Sequence, residues 1–404
     1  MIPYEEALEI VIGAAGSYGS ETIPLTNATG RVLSEAITAS FPLPRFDNSA
    51  VDGYAITGED GKKLAACGEI SVRLKGTSTA GASAGSEIQP GACFRVFTGA
   101  PLPTGTGGIV MQEDARAEGD CVKLSGEFEA GQHIRRAGEE WLEGDLVLPV
   151  GLELNSAGVA LAAMLGRAAV AVRRLPRVSI VVTGSELVPP GRALESGQIH
   201  ESNSFAIASA LHQLGLTPVS CECVPDERHA TEAAIERGLQ VADVLITSGG
   251  VSVGEHDLVK AAFEGQGFER RFWQVAVKPG KPAYFGVRPG DGKAVFGLPG
   301  NPMSVLATFT LLVKPHLLAA GGHGEPRPQF RSAILKEGIC HRPGRMEFVP
   351  SWLEDDSVSP YPGQGSHMLG GLARANALIQ VPSGAEDIVA GSTVKVLPFG
   401  GNCS

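Results

Sequence analysis

Several familiar signatures are missing from this 404-residue chain. No GxGxxG follows its first predicted α/β strand and no GxxxxGK[ST] occurs anywhere, which excludes the two commonest glycine cradles for phosphate. The histidines show no HxxxH or HExxH spacing, and His200, His256 and His367 stand far apart, so a zinc centre of the usual pattern is excluded as well. Positive charge is scarce. With 33 Lys and Arg against 44 Asp and Glu, the net charge is −11, the opposite of a general nucleic-acid surface.

Cysteine is sparse and unpatterned: Cys67, Cys93, Cys121, Cys221, Cys223, Cys340 and Cys403. An odd number without framework spacing argues against a disulfide scaffold and fits a reducing compartment. Cys221 and Cys223 fall on one face of a predicted strand, and no second thiol pair completes a four-thiolate site. No apolar run is expected to reach the ~20 residues of a membrane span. The opening MIPYEEALEI carries acids and lacks a basic flank, so no secretory signal is read. The expectation is a cytoplasmic protein with neither membrane nor nucleic-acid partners.

Turn formers are abundant, with 53 Gly and 27 Pro beside 43% hydrophobic residues. That mixture predicts turn-rich β structure rather than disorder, and the length predicts two to four domains. Amphipathic helical patches at 3–15 and 155–165 flank a β-rich excursion of short strands. From 176 onward, strands alternate with helices of ten to fifteen residues, the pattern of a mainly parallel sheet covered on both faces. After the linker at 321–328, short alternating runs separated by glycine turns predict a small β barrel. The expected fold is therefore multidomain α/β and β: a split helical domain (1–20 plus 141–175), an elongated β-rich insertion (21–140), an α/β domain (176–320) and a C-terminal β-barrel domain (321–404).

The chemistry concentrates at strand exits. Apolar runs ending in Thr183-Gly-Ser-Glu186 and Thr247-Ser-Gly-Gly250 open into glycine turns, the second followed by Glu255, His256 and Asp257. Open α/β sheets place ligands at such carboxyl ends. Lys278-Pro-Gly-Lys281 and Gly297-Leu-Pro-Gly-Asn-Pro-Met-Ser304 add lysines and close backbone approach, features of an anion site. Acids at 52, 186, 226 and 257 facing Lys278, Lys281 and Arg345 suit Mg²⁺ with a phosphate or another oxyanion. Hydroxyls and amides around Ser248, Gly249 and Gly250, and around 300–304, serve as hydrogen-bond donors to phosphate or a polar ring. Asp47–Ser49 reads equally well as an Asx turn.

Taken together, FDNSAVDGYA (46–55), FTGAPLP (97–103), RRAGEE (135–140), TGSEL (183–187), TSGGVSVGEHD (247–257), KPGKP (278–282) and GLPGNPMS (297–304) resemble the molybdopterin molybdenumtransferases of molybdenum cofactor synthesis, the MoeA family, to which the gephyrin E domain is related. The resemblance covers essentially the whole chain in order. It implies an α/β domain of the molybdopterin-binding type, a homodimer whose cleft receives Asp52 and Thr98 across the interface, and transient contact with molybdopterin adenylyltransferase. The implied reaction is Mg²⁺-dependent delivery of molybdenum from molybdate to adenylylated molybdopterin, with release of AMP. It further implies Mg²⁺ and phosphate roles for Glu186, Asp226 and Asp257, support from Asp52, oxyanion holding by Lys278, Lys281 and Arg345, and neutral hydrogen bonds from Ser304 and Ser366. One departure is His200-Glu201-Ser202, where a tyrosine-aspartate-threonine run is expected; the longer acid puts a ligand role for Glu201 in question. Two rival readings remain: the adenylyltransferase itself, which resembles 176–320 alone, and a scaffold protein built on the same fold.

Overall fold

The computed structural model of the chain describes residues 1–81, 86–250, 258–362, 365 and 367–399. The chain divides into two compact units, one formed by residues 1–23, 30–34 and 171–404 and the other by 24–29 and 35–170.

In the first unit, β1 (Val178–Thr183), α1 (Asn203–His212), β2 (Ser220–Val224), α2 (Arg228–Val241), β3 (Val244–Ser248), α3 (Leu258–Gly265), β4 (Glu269–Gln274), β5 (Pro282–Val287) and β6 (Ala294–Leu298) follow one another. They build a six-stranded sheet in the order β2-β1-β3-β6-β5-β4. β2, β1, β3 and β6 run parallel, whereas β5 and β4 close the far edge as antiparallel strands. Every residue of β1, β3 and β6 is buried. Their continuous apolar runs follow from cover on both faces. Side chains alternate across the sheet, so Val178, Ile180, Val182, Val244, Ile246 and Phe296 join one core with helix Tyr4–Gly13 and α1. Val181, Leu245 and Val295 join the other, against Ala234, Ile235 and Leu239 of α2 and Val259 and Phe263 of α3.

A continuous helix over Pro302–Ala320 includes a π-helical stretch at Phe309–Val313. Its 19 residues and mean hydropathy of 1.5 make it long and apolar enough to cross a membrane, which corrects the expectation that no segment reaches that length. The apolarity has a packing reason, since 72% of its most apolar 18-residue stretch is buried inside the protein. This is a core helix. Its His316 lies edge-on to Phe285 and Phe296, and its Nδ1 donates to the carbonyl of Val11 at 2.8 Å.

The C-terminal strands β7 (Arg331–Leu335), β8 (Met346–Glu354), β9 (Ser357–Pro360), β10 (Ala377–Val381) and β11 (Thr393–Pro398) pair in a ring, β7-β9-β8-β10-β11 and back to β7. Closure leaves no edge strand in the ring, and Ala333, Leu335, Val349, Val358, Ile379 and Val396 fill it. The short strand Val277–Lys278 pairs in parallel with β8, setting Lys278 opposite Glu347.

The second unit carries a six-stranded sheet ordered Thr106–Met111, Gly53–Thr57, Ala92–Val96, Glu69–Ser78, Cys121–Ser125, Ala115–Glu118. Helix Gly58–Cys67 packs on it. Thr57 caps its start by accepting from the amide of Asp60, and Gly68, at φ +72°, ends it in the left-handed conformation. The parallel α/β sheet, the β-rich insertion and the closed barrel agree with the fold class read from the sequence.

Burial of the His316 imidazole pushes its pKa down to about 4. A histidine depressed from its ordinary value of 6.5 contributes no pH dependence above that value and destabilises the fold as pH falls toward 4, because the unfolded chain takes the proton first. Denaturant titrations at pH 7.5 and pH 5.0 should differ by about 2 kcal/mol from this group alone, and His316→Gln should remove that part of the difference.

Candidate functional site

Strand β1 lies between β2 and β3, so the connections leaving β1 and β2 run to opposite sides of it. The carboxyl ends of β1 and β3 thus flank a topological switch point, where open α/β sheets leave a crevice. A cavity of about 590 Å³ occupies this place. Thr183 and Glu186 reach it from the end of β1, Asp226 from the end of β2, Gly249 and Gly250 from β3, and Gly300 from β6. Glu186 and Asp226 are exposed carboxylates, and the amide of Asp226 donates to Ser185 Oγ at 3.1 Å.

Glycine is required in the β3 turn. Gly249 and Gly250 have φ of +90° and +66°, and a Cβ on Gly249 would lie 2.3 Å from the carbonyl oxygen of Thr183. The turn therefore folds onto the end of β1 as no other residue would allow. Glu201, in question as a ligand, is buried. Its Oε1 accepts from the amide of Ser204 at 2.7 Å and its Oε2 from the Ser204 hydroxyl at 2.5 Å. Oε1 thereby satisfies one free amide in the first turn of α1, and the same residue lines the cavity.

The remaining residues singled out in the sequence fall in different places. Ser248 is fully buried, with its hydroxyl donating to the carbonyl of Pro299 at 3.0 Å, and Ser304 is buried within the helix that starts at Pro302. Lys278 and Arg345 line a second cavity of about 630 Å³. Lys281 is not among the residues lining either cavity. Lys278 Nζ lies 2.7 Å from Glu347 Oε1, and the other oxygen of that buried carboxylate accepts from His341 Nδ1 at 2.9 Å. The Arg345 guanidinium reaches the carbonyl of Val277 at 3.4 Å. One ammonium of the expected anion cluster is thus tied to a barrel carboxylate.

In the second unit, Asp52 Oδ1 accepts from both the amide and the hydroxyl of Thr98, each at 2.8 Å. These hydrogen bonds, aided by Arg95, hold the exposed Asp52 carboxyl below its usual pKa. Arg95 is stacked over Tyr54 at 4.8 Å and Phe97 at 5.3 Å. Asp47 accepts from Arg136 and from the amide of Ala137, consistent with a turn role. Asp257, with Glu255 and His256, and Ser366 lie outside the described residues. Among the described residues no group of three or more His, Cys, Asp or Glu is gathered as a metal site.

Three family models match the chain in succession: the MoeA N-terminal region (domain I and II) over residues 2–166, the probable molybdopterin binding domain over 179–319, and the MoeA C-terminal region (domain IV) over 332–399. Molybdopterin molybdenumtransferase 2 of Mycobacterium tuberculosis is 36% identical across 93% of this chain and 94% of its own length. The chain belongs to the MoeA family. Molybdopterin molybdenumtransferase of Haemophilus influenzae is 35% identical over 94% of both chains. The crystal structure of a molybdopterin biosynthesis MoeA protein from Pyrococcus horikoshii OT3 superposes with a TM-score of 0.83 at 30% identity, covering 99% of this chain and all of the other. Membership in this enzyme family makes the protein a MoeA-type enzyme of molybdenum cofactor biosynthesis.

Sequence reasoning passed over Thr183, Asn203, His341 and Glu347 as site residues. Thr183 opens the TGSEL motif, whose glycine is the signal, and Asn203 directly follows the His200-Glu201-Ser202 run. The last two give no sequence signal, because only strand pairing across two domains brings Glu347 opposite Lys278.

Gly249→Ala should cost about 2 kcal/mol or more in thermal or denaturant unfolding, because left-handed strain adds to a contact with immobile backbone. Glu347→Ala, which strands His341 and Lys278, should cost about 1–3 kcal/mol in the same measurement, the half-exposed lysine keeping the loss at the lower end.

Proposed function

We propose that this MoeA-family protein is a molybdopterin molybdotransferase, inserting molybdenum from molybdate into adenylylated molybdopterin with Mg²⁺ and releasing AMP. The observation that carries this reading is the convergence of Glu186, Asp226 and two glycine turns on one cavity, in a chain matching curated molybdopterin molybdenumtransferases across 93% and 94% of its length.

Mg²⁺ commonly takes one or two protein carboxylates and completes its shell with water and substrate phosphates. Glu186 and Asp226, both exposed on the same cavity, fit that demand, and Asp257 is the third acid assigned to it. When bound, the ion supplies positive charge beside the phosphoanhydride. The turns at Gly249–Gly250 and Gly300 line the same cavity and offer backbone to the phosphates. Lys278 and Arg345 offer donors to a tetrahedral dianion, and Glu347 keeps the Lys278 ammonium from drifting into solvent. Asp52, kept ionised by Thr98, is assigned to the reacting end of the substrate. In this reading the working unit is a cytoplasmic homodimer. It receives its activated pterin through transient contact with the adenylyltransferase.

The test is AMP release from adenylylated molybdopterin in the absence of ATP. Release should require both molybdate and Mg²⁺, and Glu186→Gln or Asp226→Asn should slow it by about tenfold or more, a loss of about 1.4 kcal/mol in transition-state stabilisation. Pyrophosphate release from ATP would identify an adenylyltransferase instead. Folded protein that leaves intact substrate unchanged would favour a scaffold.

A further inference from the structure

At the floor of the switch-point cavity the turn after β3 meets the turn after β6. The backbones approach so closely that a Cβ on Gly300 would lie 3.9 Å from the Cα of Gly249. Two turns leaving neighbouring strands have no reason of their own to keep such a spacing. One side chain from a third element spans them. Asn203, the first residue of α1, is buried, and its Nδ2 donates to Ser248 Oγ at 3.0 Å and to the carbonyl of Gly300 at 2.7 Å. The Ser248 hydroxyl passes its own proton to the carbonyl of Pro299 at 3.0 Å. Both amide hydrogens are thus committed, which fixes the orientation of the carboxamide. Asn203 Oδ1 is buried without a partner among the described residues. An unpaired buried acceptor is costly, and here it accompanies an amide group turned so that its donors face the two turns.

We propose that Asn203 is a positioning residue for phosphate recognition, a clamp whose amide sets the distance between the Gly249–Gly250 turn and the Gly300 turn. The inference rests on the reading that this cavity takes a phosphate-bearing substrate. Asn203 acts on the ligand through the two backbones it joins. Removing it leaves the sheet intact, because β3 and β6 remain paired in register from Val244↔Ala294 to Ser248↔Leu298. The turns beyond the last paired residue are then free to separate. Substrate binding should suffer, and global stability should hardly change.

Two variants and two readouts test this. Asn203→Ala removes the clamp, and Asn203→Asp keeps the shape while replacing the donors by an acceptor that faces the Gly300 carbonyl. In the AMP-release assay both should raise KM for adenylylated molybdopterin by about tenfold, with kcat within about threefold of wild type. In amide hydrogen exchange, protection at Gly249, Gly250, Gly300 and Asn301 should fall in both variants, while β1, β3 and β6 exchange as in wild type. Wild-type KM and unchanged turn protection in Asn203→Asp would overturn the proposal. So would loss of protection spread across the sheet, which would mark Asn203 as a general support of the fold. Should wild-type protein release no AMP, the functional reading fails on its own, and the exchange measurement still decides whether Asn203 clamps the turns.

Discussion

Burial of the parallel strands on both faces is the constraint from which the rest of the first unit follows. β1, β3 and β6 have no exposed residue, so nothing polar can leave the sheet along its length without losing water and gaining no partner. Function is pushed to the strand ends. At the carboxyl ends the order β2-β1-β3-β6 opens a crevice between connections that diverge. Glu186, Asp226 and the glycine turns occupy it because they are the residues that immediately follow those strands.

The amino ends of the same strands show the complementary case. Asp243, just ahead of β3, is buried and receives Arg174 at 2.8 Å and Arg177 at 2.9 Å. Burial pushes its carboxyl up in pKa, yet the two arginines and the amide of Arg177 outweigh that and hold it well below the usual range. Here a charge tolerates burial because every lone pair that matters is matched. At the opposite end Glu186 and Asp226 are left exposed, and among the described residues neither has an ion pair. Paired, buried charge and exposed charge thus lie at opposite ends of the same strands.

The barrel contributes differently. A single parallel step of pairing, Val277 and Lys278 against Met346 and Glu347, brings a lysine from the α/β domain beside a buried carboxylate of β8. The carboxylate is in turn oriented by His341. Long flexible ammonium side chains lose considerable entropy when held in one place, and the Glu347 carboxylate holds this one in the folded protein. In the second unit the backbone and hydroxyl of Thr98 do the same for Asp52, holding one carboxylate oxygen with two donors.

Much of this was legible in the sequence, for a physical reason. Apolar runs such as Val178–Val182 and Val244–Ile246 report burial on both faces. Glycine pairs report backbone geometry, and the order of strands and helices restricts the sheet to few topologies. Acids placed directly after strands could therefore be assigned to the crevice. Other features were decided only by tertiary structure. The apolar helix Pro302–Ala320 is a core element because sheet and helices cover it. Glu201 is tied to the first turn of α1 because Ser204 lies one turn away with its hydroxyl turned back. Lys278 is paired while Lys281 is absent from the same cavity, although the two lie three residues apart in one motif. Local sequence determines what a residue can do and which way the backbone bends; which partner it meets often depends on segments distant in the chain, and only the packed fold brings those together.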